Sequence, residues 1–161
     1  TWGEDKISDD GVTSAKNNSS VITQLTLDGR RFLFTGDAGI GALEEAADVI
    51  DVRHAHNELQ MIQIPHHGSR RNIGPTVLDR LLGSRVSEGE TIDVVAVVST
   101  AKNGEPKHPR KAVLNAFTHR GAKVLATKGN GIRHYNDAPE RNGWGPLAYE
   151  PYHYEYVEEE A

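Results

Sequence analysis

Ile92-Asp93-Val94-Val95-Ala96-Val97-Val98 is the stretch that most narrows what this chain can become, a short and nearly continuous apolar run rich in β-branched residues. Such a run reads as a strand covered on both faces, the signature of a parallel sheet held between layers. The segments around it alternate between two periods. Ser20 to Leu27 alternates apolar and polar, Asp28-Gly29 is a tight-turn dipeptide, and Arg31 to Thr35 follows, so this region reads as a β-hairpin. Gly39 and Gly41 loosen the backbone before a helix whose Leu43, Ala46, Ala47 and Ile50 share a face. Met61 to Ile64 is a second short strand, and Ile73, Val77, Leu78, Leu81 and Leu82 mark a second helix closed by Gly83. Beyond Val98, Pro109 suits the first turn of a third helix carrying Ala112, Val113, Ala116 and Phe117. Lys123 to Thr127 and Ile132 to Tyr135 read as strands either side of the turn Gly129-Asn130-Gly131. Strands that alternate with helices imply an α/β fold, a layered sheet flanked by helices.

The 161 residues suffice for one domain with a real core. Residues 1–16 are polar and aperiodic, a loop or a cut edge; 17–135 form the core; 136–161 are an aromatic and acidic tail, an edge strand or a wrapping arm. No apolar run approaches the roughly 20 residues that span a bilayer, so no membrane segment is expected and the chain is read as cytoplasmic. The first residue is Thr1, which implies a processed chain or a piece of a longer protein.

Chemistry is expected at the strand ends. Met61 to Ile64 stops at Pro65 and delivers His66 and His67 into a Gly-Ser turn, and Phe32-Leu33-Phe34-Thr35-Gly36-Asp37 delivers a carboxylate in the same way. Loops beyond strand ends are where open α/β folds keep their sites. The chain has no cysteine, so any metal must be held by His, Asp and Glu. Imidazole with carboxylate is the ligand chemistry of a hydrolytic zinc or manganese site. His54 and His56, two apart on a helix, point in different directions and read as a solvated helix end.

Charge is segregated. Between Ser99 and Tyr135 lie eight of the chain's 18 basic residues and only one of its 23 acidic ones, Glu105. Lys102, Lys107, Arg110 and Lys111 flank His108, and Arg70 and Arg71 follow the other histidines, which makes these six the candidate nucleic-acid contacts.

Asn17-Asn18-Ser19-Ser20, Thr35-Gly36-Asp37, Ile64-Pro65-His66-His67-Gly68-Ser69, Val98-Ser99 and Lys107-His108-Pro109, in this order and spacing, resemble the second half of a metallo-β-lactamase-fold domain of the ComEC competence type. Thr127 to Ile132 resembles the stretch that ends such domains. The resemblance implies the C-terminal part of a metallo-β-lactamase-like αββα sandwich, with a hydrolase site holding one or two Zn2+ or Mn2+ ions at one edge of the sheets. It implies that Asp37 bridges the metals, that His66 or His67 is a ligand beside them, and that His108 is catalytic. Lys107 stands where the family has glycine. The family's principal ligand motif, His-x-Asp-x-Asp-His or His-x-His-x-Asp-His, should precede Asn17 and is absent, so the missing ligands are expected upstream of Thr1 or on a partner chain. A soluble domain of a membrane protein is compatible with this.

The function expected is metal-dependent phosphodiester hydrolysis of DNA or RNA, with His108 stabilising the phosphorane or protonating the leaving oxygen. One alternative is a catalytically inactive module of the same fold that binds nucleic acid or a partner protein. Another is a hydrolase of small esters or lactams, although small neutral substrates do not call for eight cations.

Overall fold

A computed structural model of the protein describes residues 2–53, 59–102 and 108–157. The element order is α1 (Ala15–Asn18), β1 (Thr23–Leu27), β2 (Arg30–Phe34), α2 (Ile40–Arg53), β3 (Leu59–Gln63), α3 (Pro75–Leu82), β4 (Val95–Val98), α4 (Lys111–His119) and β5 (Lys123–Ala126). The class is α/β, as expected, with a five-stranded sheet in the order β1-β2-β3-β4-β5. β1 and β2 form the antiparallel hairpin, Thr23 facing Phe34 and Leu27 facing Arg30. The remaining pairs are parallel.

That order decides which face is covered. Each step from β2 to β5 moves one place in the same direction, and right-handed crossovers stepping one way put their helices on one side. Leu33, Ile62, Ala96, Val98, Val124 and Ala126 form the core beneath Leu43, Ala47 and Ile50 of α2, Val77, Leu78 and Leu81 of α3, and Val113 and Phe117 of α4. The opposite face has no described helix. It carries Leu25 and Leu27, 48% and 58% exposed, Phe34 at 39%, and half-buried Met61, Val95 and Val97. The central run therefore alternates in burial, where its composition leads one to expect cover on both sides.

Residues 131–149 lie over this face and leave a cavity of about 930 Å³ whose walls include Phe34, Met61, Val97, Leu125 and Trp144. The strand expected at Ile132–Tyr135 is absent. Those residues turn back across the sheet, where His134 packs edge-on against Phe32 at 5.5 Å, so they do not extend the row beyond β5. The described part of the tail meets the outer edge of β5, where the Glu150 amide donates to the Val124 carbonyl at 2.8 Å.

Two boundaries also differ. Asn17 and Asn18 belong to α1, capped by the Ser14 side chain, and α4 begins after Arg110, which leaves Pro109 outside the helix. The N-terminal stretch is a loop integrated into the fold. The Trp2 indole donates to the Val86 carbonyl at 3.1 Å, and Asp9 accepts from the Thr76 amide and hydroxyl. No described helix is long and apolar enough to cross a membrane.

Candidate functional site

Because β2 to β5 run parallel, their carboxyl ends share one edge, and the connections leaving that edge carry Asp37, His66, Ser99 and Thr127 in turn.

The Asp37 loop is held from several sides. Gly36 takes a positive φ of 55°. Thr35, fully buried, donates its hydroxyl to the Gln63 carbonyl at 2.9 Å. The Gln63 amide oxygen accepts from the Thr35 and Gly36 backbone N–H groups at 3.2 and 3.3 Å. On the far side, the buried Asn72 amide donates to the Asp37 and Ala38 carbonyls at 3.0 and 3.1 Å. The His66 N–H closes the arrangement by donating to the Gly36 carbonyl at 3.0 Å.

The histidine turn is left-handed throughout, with φ of 43° at His66, 55° at His67 and 82° at Gly68. Two consecutive non-glycine residues in this region cost free energy, and such strain persists where the surroundings over-determine it, commonly at functional sites. Gly68 is required twice over. Its φ is one that side chains disfavour, and a Cβ there would stand 2.9 Å from Pro109 Cβ. The Arg110 N–H donates to the Gly68 carbonyl at 3.1 Å, so the turn and the His108 segment are fastened together.

The consequence is a division of labour between the adjacent histidines. His67 is exposed and its Nδ1 lies 2.9 Å from the Ser99 carbonyl, a contact in which Nδ1 carries the proton and donates. His66 faces inward: its ring stands perpendicular to His108 with centroids 6.3 Å apart, and its Nδ1 is 3.4 Å from Asp37 Oδ1. That Nδ1 is buried and has no hydrogen-bond partner. A separation of 3.4 Å is long for an N–H···O bond. Two ligands each about 2.1 Å from a tetrahedral ion, however, stand roughly 3.4 Å apart. The Asp37–His66 pair therefore fits two corners of a metal site. Among the described residues no three His, Asp or Glu side chains gather as a metal-binding group, so further ligands would have to come from outside them.

Of the residues singled out in the sequence, Asp37 and His108 each lie against His66; His67 stands beside it, tied to Ser99. Lys107, His54 and His56 lie outside the described residues. Arg71, Lys102 and Lys111 are exposed and Arg70 is half-buried, whereas Arg110 is only 8% exposed and is withdrawn from the surface. The basic segment is also thinner in space than in sequence. Arg120 is buried against Asp5 and Asp79, Lys128 pairs with Glu150, and Lys123 lies 3.9 Å from Asp93.

Gln63 and Asn72 are the site residues that sequence reasoning missed. The available signal was a polar side chain interrupting the apolar run Met61–Ile64, which in a buried strand needs a specific partner.

No family model matches the sequence. Over 122 residues, 76% of the chain, it is 25% identical to ComE operon protein 3 of Bacillus subtilis (strain 168), and the matched region covers 14% of that protein's length. The likeness is to one segment of a much longer polypeptide. No solved structure matches.

Proposed function

We propose that this chain is the C-terminal part of a metallo-β-lactamase-like αββα sandwich whose intact form hydrolyses phosphodiesters in nucleic acid. The observation that carries the reading is the Asp37–His66 pair at the carboxyl edge, 3.4 Å apart and not hydrogen-bonded, with the His108 ring 6.3 Å from that of His66 between centroids. The sandwich is supported by the sheet itself. One face is packed under helices while the other is apolar and half-open, and parallel sheets are stable when both faces are covered. A second sheet and the remaining ligands belong, in this reading, to another part of the polypeptide.

Zn2+ or Mn2+ bound between the two halves would supply Lewis-acid polarisation of the phosphate and activation of water. Asp37 and His66 would contribute ligands from this half. His108, whose ring is perpendicular to that of His66, would carry a proton to the leaving oxygen or stabilise charge on the phosphoryl group, a task that suits imidazole near neutral pH. Arg71, Lys102 and Lys111 offer exposed cations to the backbone of the substrate.

The test is cleavage of labelled single- and double-stranded DNA and RNA by the intact protein with Mn2+ or Zn2+. Asp37→Ala should abolish cleavage, and His108→Ala should slow it by about 10²–10⁴-fold, the usual worth of a general acid. Full activity in Asp37→Ala and His66→Ala would sink the assignment. Binding without cleavage by the wild type would mark an inactive binding module instead.

A further inference from the structure

The connection that leaves β3 supplies His66 and also grips the loop that supplies Asp37. Gln63 ends β3, three residues before His66, and its amide oxygen holds the backbone N–H groups of Thr35 and Gly36. Asn72 lies six residues after His66, is 1% exposed, and uses its amide nitrogen on the carbonyls of Asp37 and Ala38. Asp37 thus sits between two amide side chains, with the His66 N–H bonded to the carbonyl just before it. The Asp37 side chain itself is 49% exposed, so packing alone does not fix its direction.

We infer that Gln63 and Asn72 are positioning residues: they set the direction of the Asp37 carboxylate and its distance from His66, so one piece of chain fixes the spacing of two ligands. The inference rests on the metal-site reading. Groups that orient a ligand without touching the metal typically change affinity ten- to a hundredfold when removed. The chemistry at Gln63 makes a specific demand. Its oxygen accepts two backbone N–H groups, so glutamate can replace it and leucine cannot.

Mn2+ affinity measured by electron paramagnetic resonance on the intact protein tests this. Gln63→Leu and Asn72→Leu should each weaken binding roughly ten- to a hundredfold, and Gln63→Glu should recover most of the loss. A purely structural role predicts no such recovery at equal melting temperature. Leucine variants that bind as the wild type does, while Asp37→Ala has lost Mn2+, would overturn the inference and leave the metal reading standing. Wild-type protein that binds no Mn2+ would overturn the metal reading. The inference is then decided by amide exchange at Gly36 and Ala38, which should accelerate in both leucine variants and stay slow in Gln63→Glu. Unchanged exchange would refute it.

Discussion

Gly68 stands where a backbone constraint and a packing constraint coincide, with φ at 82° and Pro109 Cβ 2.9 Å from where a side chain would begin. Gly68→Ala should cost about 2–4 kcal/mol, combining the left-handed penalty with overpacking. Urea unfolding would measure it. The same substitution should push the His108 segment away from His66 and lower activity in protein that remains folded. On the proposed metal-site reading the neighbouring histidines should behave unequally: His66→Ala would remove a ligand, whereas His67→Ala loses a hydrogen bond to Ser99 worth about 1 kcal/mol and should retain more hydrolysis. Equal losses in cleavage assays would contradict the division. That Pro65-His66-His67-Gly68 makes a turn is legible in the sequence. Which imidazole faces Asp37 is not, because side-chain direction there depends on three successive positive φ angles that residue types do not dictate.

Elements are held to one another by a buried polar clasp between the N-terminal segment, α3, α4 and the C-terminal arm. His119 Nδ1 lies 2.6 Å from Asp5 Oδ1, Arg120 donates to Asp5 Oδ2 at 3.0 Å and to Asp79 at 2.8 Å, and His119 Nε2 is 3.0 Å from the Tyr152 hydroxyl. Burial pushes the Asp5 carboxyl up, but hydrogen bonds and charge from His119 and Arg120 outweigh it and hold it below the ordinary carboxylate range. A depressed carboxylate stabilises the fold above its unfolded pKa and loses that contribution as pH falls through its folded value. The clasp should therefore keep its full contribution at neutral and mildly acidic pH and lose it only as pH falls below the ordinary carboxylate range. Asp5→Asn should cost about 3 kcal/mol at pH 7, because the buried Arg120 guanidinium loses one of its two carboxylate partners. Its stability should then fall less than the wild type's on acidification, as followed by circular dichroism; parallel pH profiles would refute the clasp. Helices and central strands were legible because Val77, Leu78 and Leu81 or Val113, Ala116 and Phe117 repeat with helical period. A contact such as Asp5 with His119, spanning most of the chain, leaves no local pattern. Ile132–Tyr135 has strand-forming residues but spends them on the sheet's open face.

For the whole molecule, the spatial distribution of charge would set how it meets the polyanion proposed as its substrate. Arg110 and Arg120 turn inward and Lys123 and Lys128 lie beside acids, so the exposed Lys102 and Lys111 should dominate phosphate contact on the His108 side. Lys102→Glu with Lys111→Glu should weaken nucleic-acid binding by the intact protein and flatten its log–log salt dependence by roughly 1.5, two contacts' worth of counterion release. An unchanged slope in fluorescence anisotropy would exclude this surface. The sheet's order carries a consequence in time as well as in space. Each strand lies beside the one synthesised before it, so a chain emerging from the ribosome can add its βα units one after another without waiting for a distant partner. Asp37 and His66 come within reach once β3 and its turn have emerged, and His108 joins some 40 residues later, so the Asp37–His66 pair is assembled in the nascent chain before His108 arrives.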